Sequence, residues 1–395
     1  MPTYRELRTI QRTVHRSNMF SAKMRKMRGK RLVGFVLCFI ALGTTRETHS
    51  QTDPHLTQGP QQFASFGDFI LKDGISIHDF RLGYRTLGTL NASKSNAVLW
   101  PTWLGGRSQD LLTFVGPANV LDPNKYFVIL VDSIGNGVST SPSNSSSQPL
   151  MKFPQFTVRD MVESERRLVT ETFHLSHLHA VMGVSMGGMQ TFEWAVAYPN
   201  FMDLAIPMSG SPQSTSSDKL LWTSEIDAIE LDPAWNKGNP TGFLTRGIAL
   251  AEEIDAMNST SPGYRTNHTN TGEFESFLAG IRNNAKSDAG SVIDQIRQRQ
   301  AILSLDIPAE FHTTIGQAAK HVHAKLLVFI SPQDHMVNPG PAAEFASTMG
   351  APVVRLDSPC GHLSYTCVSI GPTVAQFLAN PSSVHDGTIT ETLKH

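Results

Sequence analysis

Residues 183–195 read GVSMGGMQTFEWA, and they set a serine between two glycines: Gly183-Val184-Ser185-Met186-Gly187. Such a serine can serve as a nucleophile if it sits on a tight strand-to-helix turn. The run before it, LHAVMGVS (178–185), is apolar and β-prone, and MGGMQTFEWAVAY after it reads as a helix. On such a turn the neighbours two residues away must be small, which Gly183 and Gly187 satisfy. The helix N-terminus would add a free N–H, from Met186, and a positive dipole end where an oxyanion forms. The plain alternative is a glycine-rich helix entry that happens to contain a serine.

A serine hydroxyl attacks well only when a base takes its proton and a third group orients that base. On this scaffold the acid and then the histidine follow the serine in the chain. Asp334 lies in SPQDHMVNP, after the apolar run KLLVFIS (325–331). His362 lies in SPCGHLSY, after the run PVVRLDS (352–358), and it alone of 15 histidines occupies the loop after the last predicted strand. Asp357 is the alternative acid. Loop polarity or capping would explain Asp334 or His362 taken singly. The second oxyanion donor is expected in WPTWLGG (100–106), as the backbone N–H of Trp103 or of Leu104.

The elements that must position these residues are short, near-continuous apolar runs at 96–103, 126–133, 178–185, 204–210, 325–331 and 352–358. Such runs suit strands buried on both faces of a parallel sheet. Between the second and third, TVRDMVESERRLVTETF (157–173) repeats its apolar residues at helical spacing, with Thr157 as N-cap. Strands alternating with helices indicate an α/β fold. ISIHDFRLGYRTLGTL (75–90) alternates as antiparallel strands do. The alternation stops between 212 and 320, where helical patches such as GFLTRGIALAEEIDAM (242–257) suggest an inserted lid. The expected layout is a leader at 1–50, a linker at 51–74, a core at 75–211 and 321–380, a lid at 212–320 and a C-terminal tail at 381–395.

Net charge is −1, but residues 1–50 hold 11 Lys and Arg against 2 Asp and Glu, which leaves 22 basic and 32 acidic residues beyond them. That acidic remainder is a poor partner for nucleic acid. KMRKMRGKR (23–31) followed by the 12 mostly apolar residues LVGFVLCFIALG (32–43) reads as a signal peptide, with cleavage after Gly43 or Ser50. The apolar run is shorter than the roughly 20 residues of a spanning helix, and an uncleaved anchor is the alternative. A secreted or periplasmic chain would retain Cys360 and Cys367, too few for a disulfide framework; two buried thiols are expected, and pairing in an oxidising compartment is the alternative. HLSHLH (174–179) and HVH (321–323) lack zinc spacing, and GNGVST (135–140) lacks the lysine of a phosphate loop. No metal or cofactor is expected.

The motifs resemble the homoserine O-acyltransferase family of α/β-hydrolases. GVSMGGMQTFEWAVAYPN (183–200), LGYRTLGTLNASKSNAVL (82–99), LDPNKYFVIL (121–130), FPQFTVRDMV (153–162) and DSPCGH (357–362) carry the likeness, which covers about 75–380. The resemblance implies the α/β-hydrolase fold with a helical lid, and a Ser185–Asp334–His362 triad that forms an acyl-enzyme. It also implies oxyanion donors at Trp103 and Met186, and pairing of two copies through their lids.

Three departures bear on substrate. The family's oxyanion loop resembles His-Ala-Leu-Thr-Gly, where this chain has Pro101-Thr102-Trp103-Leu104-Gly105. The aspartate that contacts the homoserine amine is replaced by Leu363, and the lid arginine for its carboxylate has only Arg246 nearby. Burying two substrate charges without partners is costly. The expectation is therefore an exported hydrolase of a small-molecule ester. The alternatives are a homoserine O-acetyltransferase using acetyl-CoA as co-substrate and a non-catalytic binding protein.

Overall fold

The computed structural model describes residues 59–285 and 289–391. The expected signal peptide, with its expected cleavage after Gly43 or Ser50, lies outside the described residues.

Ten strands form one sheet: β1 Gln62–Ile70, β2 Ser76–Leu87, β3 Ala97–Pro101, β4 Phe127–Val131, β5 Leu178–Val184, β6 Met202–Met208, β7 Lys325–Leu326, β8 Val328–Ile330, β9 Val353–Asp357 and β10 Gly387–Thr390. Their order is β1-β2-β4-β3-β5-β6-β8-β9-β10, with β7 beside β6. The β1–β2 and β2–β4 pairs are antiparallel, and every pairing from β4–β3 to β9–β10 is parallel. This is the mostly parallel α/β sheet that the apolar runs required.

Those runs are buried on both faces because alternate residues enter opposite cores. Leu99, Ile129, Val131, Val181 and Ala205 join one cluster, while Val98, Trp100, Val128, Leu130, Met182 and Ile206 join the other. Each fully buried aliphatic side chain contributes about 1.5–3 kcal/mol relative to an exposed one. Helices α1 (Val158–Arg167) and α2 (Met186–Ala197) cover the first face. Thr157 caps α1 in a reciprocal box with Asp160. A π-helical turn, Leu168–Thr172, ends this stretch, so the predicted single helix is shorter than expected.

Two expected boundaries are corrected. The segment assigned to a linker, 51–74, contains β1, whose apolar alternation is broken by register shifts around Gly67 and was for that reason hidden. The tail at 381–395 contains β10, an edge strand that adds to β9. Its exposed residues give it no buried face to betray it.

Between β6 and β7 lie α3 (Ser216–Glu230), α4 (Thr245–Asn258), α5 (Phe274–Asn284) and α6 (Ala289–Leu303). Ile226, Ile229, Trp235, Ile248, Val292 and Ile296 give this helical insertion a core of its own. Strands β3, β5, β8 and β9 run parallel, so the loops after them emerge along one edge of the sheet. Those four loops carry Trp103, Ser185, Asp334 and His362.

Candidate active site

Strand β5 ends at Val184 and α2 begins at Met186, so Ser185 makes the whole turn. Its backbone sits at φ 56° and ψ −123°, a strained region for a residue with a side chain. Two hydrogen bonds pin it there: Ser185 N–H donates to Met208 O at 2.9 Å, and Ser185 O accepts from Met189 N–H at 2.9 Å. A β-carbon on Gly187 would approach Pro101 O to 2.6 Å. The elbow is therefore closed by backbone meeting backbone, which a larger residue would prevent.

His362 Nε2 lies 2.9 Å from Ser185 Oγ, and His362 Nδ1 lies 2.7 Å from Asp334 Oδ2. A carboxylate only accepts, so Nδ1 carries the proton and Nε2 is left to accept from the serine. The other carboxylate oxygen of Asp334 accepts the N–H groups of Met336 (2.9 Å) and Val337 (2.8 Å), which fixes its plane. All three side chains are buried. Burial disfavours the imidazolium, but the Asp334 carboxylate outweighs it, with Asp255 and Asp218 adding to the effect. The imidazole pKa is raised above its ordinary 6.5.

The loop after β3 passes close to the elbow. Thr102 N–H donates to Val131 O (3.0 Å) and Gly106 N–H to Trp103 O (3.0 Å), while Gly105 N–H donates to the side chain of Gln298 (2.8 Å). The N–H groups of Trp103 and Leu104 take part in none of these bonds. As the first residue of α2, Met186 has no acceptor for its N–H within the helix.

A family model described as alpha/beta hydrolase fold matches residues 98–366. The chain belongs to the α/β-hydrolase family. It is 35% identical over 223 residues to an ethyl acetate hydrolase of Pseudomonas veronii, covering 55% of this chain and 64% of that protein. It is 31% identical over 323 residues to a homoserine O-acetyltransferase of Methanohalobium evestigatum, covering 72% and 64%. The chain thus spans just under two thirds of each of these curated relatives. Among solved structures it is similar to an acetylester hydrolase from Corynebacterium glutamicum, with 27% identity and a TM-score of 0.75 over 82% of this chain and 97% of that one.

Other predicted residues of this α/β-hydrolase fall elsewhere. Asp357 ends β9 with an exposed side chain. Arg246 is exposed near the start of α4. Leu363, like Trp103 and Phe114, packs against the second core cluster. The histidines at 177 and 179 flank the start of β5, the opposite end of the strand from Ser185, and bond to Asp203 and Leu378 O. Among the described residues no cluster of three His, Cys, Asp or Glu could hold a metal.

The expected pair of buried thiols is a disulfide, Cys360–Cys367. Spacing alone hid it, because the turn Gly361–Leu363 and the short helix Ser364–Cys367 fold the segment back on itself. The bond encloses His362. Sequence reasoning also missed Ser133 and Gln190. Gln190 Nε2 donates to Thr102 O (3.1 Å), and its Oε1 accepts from Ser133 Oγ (3.1 Å), so the elbow helix holds the loop after β3 from below. Both are polar residues within apolar surroundings, and that contrast was the available signal.

Proposed function

We propose that this chain is an ester hydrolase working through a Ser185–His362–Asp334 triad and an acyl-enzyme. The observation that carries the reading is the continuous hydrogen-bond relay from Ser185 Oγ through His362 to Asp334. Ser185 Oγ attacks the ester carbonyl as His362 Nε2 takes its proton. The Met186 and Trp103 N–H groups receive the oxyanion, and His362 returns the proton to the departing alcohol. Water, deprotonated by His362, then attacks the acyl-enzyme and releases the acid. The reading calls for no metal or cofactor.

A small acetyl ester is the proposed substrate class, supported by likeness to an acetylester hydrolase and an ethyl acetate hydrolase. Homoserine O-acetyltransferase is the second reading, supported by relatives of that name. Against it, Leu363 occupies the position after His362 within an apolar cluster, and Arg246 is exposed to solvent. An amino-acid acceptor would find no paired charges at those two positions.

Export is proposed from the basic and apolar leader, and a disulfide accords with an oxidising compartment. Pairing of two copies through the lid is proposed from the exposed Leu231, Phe243 and Met257.

One assay tests the activity. Purified protein is given p-nitrophenyl acetate, and separately acetyl-CoA with homoserine. Rapid p-nitrophenol release that disappears in Ser185→Ala is expected. Homoserine-dependent release of CoA at a greater rate would favour the transferase instead.

A further inference from the structure

Helix α6 meets the core through Ala301 and Ile302 at its end and, before them, through polar side chains. Asp294, Arg297 and Gln298 stand at i, i+3 and i+4 and so share one face. Asp294 Oδ1 accepts from Ser143 N–H at 2.9 Å. Arg297 donates to Phe153 O at 3.0 Å and to Met151 O at 2.8 Å. These acceptors and donors are backbone groups of the connection between β4 and α1.

Gln298 is the member of this face that reaches the site. It is completely buried. Its Oε1 accepts the N–H of Gly105 at 2.8 Å, and its Nε2 donates to Ile134 O at 3.0 Å. One lid amide therefore ties the loop after β3 to the loop after β4. Thr102, bonded to Val131 O, anchors the front of the same loop. Trp103 and Leu104 lie between the two anchors, with N–H groups uncommitted to either.

We propose that Gln298 is a positioning residue for the oxyanion: it fixes the segment from Trp103 to Gly105 so that its free N–H meets the developing charge. The single contact from Gln298 to Gly105, rather than docking of helix α6 as a whole, thereby governs the rate of the chemical step. The inference rests on the hydrolase reading above. An oxyanion donor acts only when held at hydrogen-bond distance from the position the charge will occupy. A donor misplaced by about 1 Å costs on the order of 100-fold in rate. Gly105 is itself in the left-handed region at φ 66°, so no side chain of its own limits the loop's excursions.

The test compares three full-length variants with the wild type. Gln298→Met keeps the length of the side chain and removes both bonds. Gln298→Glu keeps the acceptor for Gly105 N–H. Arg297→Met removes three bonds, to Phe153 O, Met151 O and Gln300 Oε1, but none to Gly105, and serves as the structural control. Each is measured for thermal stability, for kcat and KM on p-nitrophenyl acetate, and for inhibition by a trifluoromethyl ketone. The ketone adduct on Ser185 places its oxyanion where the substrate's would form.

Gln298→Met is expected to lose about 10- to 100-fold in kcat with KM changed less than about threefold, and inhibitor affinity falls with kcat/KM. Gln298→Glu recovers part of both. Arg297→Met lowers the melting temperature and leaves kcat and inhibitor affinity near wild type. The inference is overturned if Gln298→Met keeps wild-type kcat and inhibition, or if Arg297→Met loses as much. Should Gln298→Met fail to fold, Gln298→Leu, which also lacks both bonds, takes its place: a kcat below that of Arg297→Met supports the inference, and an equal one overturns it. A wild type that hydrolyses no ester, with Ser185→Ala indistinguishable from it, overturns the hydrolase reading and this inference together. An active wild type with an unimpaired Gln298→Met overturns this inference alone.

Discussion

Gly183 and Gly187 meet across the turn that holds Ser185: a β-carbon on Gly183 would lie 2.2 Å from the carbonyl oxygen of Gly187. Contact at that distance with backbone cannot be relieved by a side-chain rotation. The same Gly187 approaches Pro101 O on its other side. The two motif glycines therefore serve both the bend and the distance between the elbow and the loop after β3. Gly187→Ala is expected to push these apart and lower kcat by on the order of 100-fold, because the proposed oxyanion donors, Met186 and Trp103, belong to the two sides. Kinetics on a small acetyl ester, with circular dichroism to verify the fold, would show it; unchanged kcat in a folded variant would refute the geometry.

Asp334 fixes both the tautomer and the orientation of His362. Asp334→Asn presents an amide that can donate, so the imidazole can carry its proton on the wrong nitrogen. On the proposed triad, loss of kcat on the order of 10⁴-fold is expected, the size of effect such a change has in Ser-His-Asp enzymes. Asp357→Asn, at the exposed end of β9, is the comparison and should retain nearly full rate.

On the proposed mechanism, the raised pKa of His362 sets the acid limb of activity. The reaction needs a neutral imidazole, so kcat/KM should rise with pH through a midpoint above 6.5. The sign for stability is opposite. The folded state binds this proton more tightly than the unfolded chain, so its contribution is complete below the unfolded pKa and is lost as pH rises through the folded one. A pH–rate profile with a midpoint below 6.5 would contradict the role of the carboxylate.

Cys360 and Cys367 close a loop around His362, with a sequence separation of 7. A cross-link of that length contributes about 2–3 kcal/mol in the chain-entropy account. Reduction by a phosphine, or the Cys360→Ser/Cys367→Ser pair, is expected to lower the melting temperature. Activity should fall with it, since the freed segment carries the base. Scanning calorimetry and ester hydrolysis with and without reductant measure both effects.

Glu165 lies completely buried on α1, one carboxyl oxygen accepting from Trp194 Nε1 at 2.6 Å and the other without a partner. Burial raises its pKa to about 8, against the opposing bond from Trp194. The folded state keeps this proton where the unfolded chain has lost it, so the stabilising contribution fades as pH rises towards 8. Glu165→Gln cannot ionise. It should gain melting temperature relative to wild type at pH 8 and gain little at pH 5; equal effects at both values would refute a buried neutral acid.

Much of the scaffold was legible in the sequence because its signals are local. Apolar runs of strand length and helical spacing at 157–173 required a sheet with helices, and Gly183-Val184-Ser185-Met186-Gly187 stated its own turn. Chain order assigned Asp334 and His362 to loops after strands. The edge strands β1 and β10 escaped because a bulged or exposed strand leaves no alternation to read. Only tertiary structure brought His362 Nε2 to Ser185 Oγ across a separation of 177 residues, joined Cys360 to Cys367, and set Gln298 of the lid against Gly105. Those pairings depend on which loops leave the same edge of the sheet and which face of a distant helix covers them. Local sequence fixes the form of each element, but the distances between elements come from the packing of the whole chain.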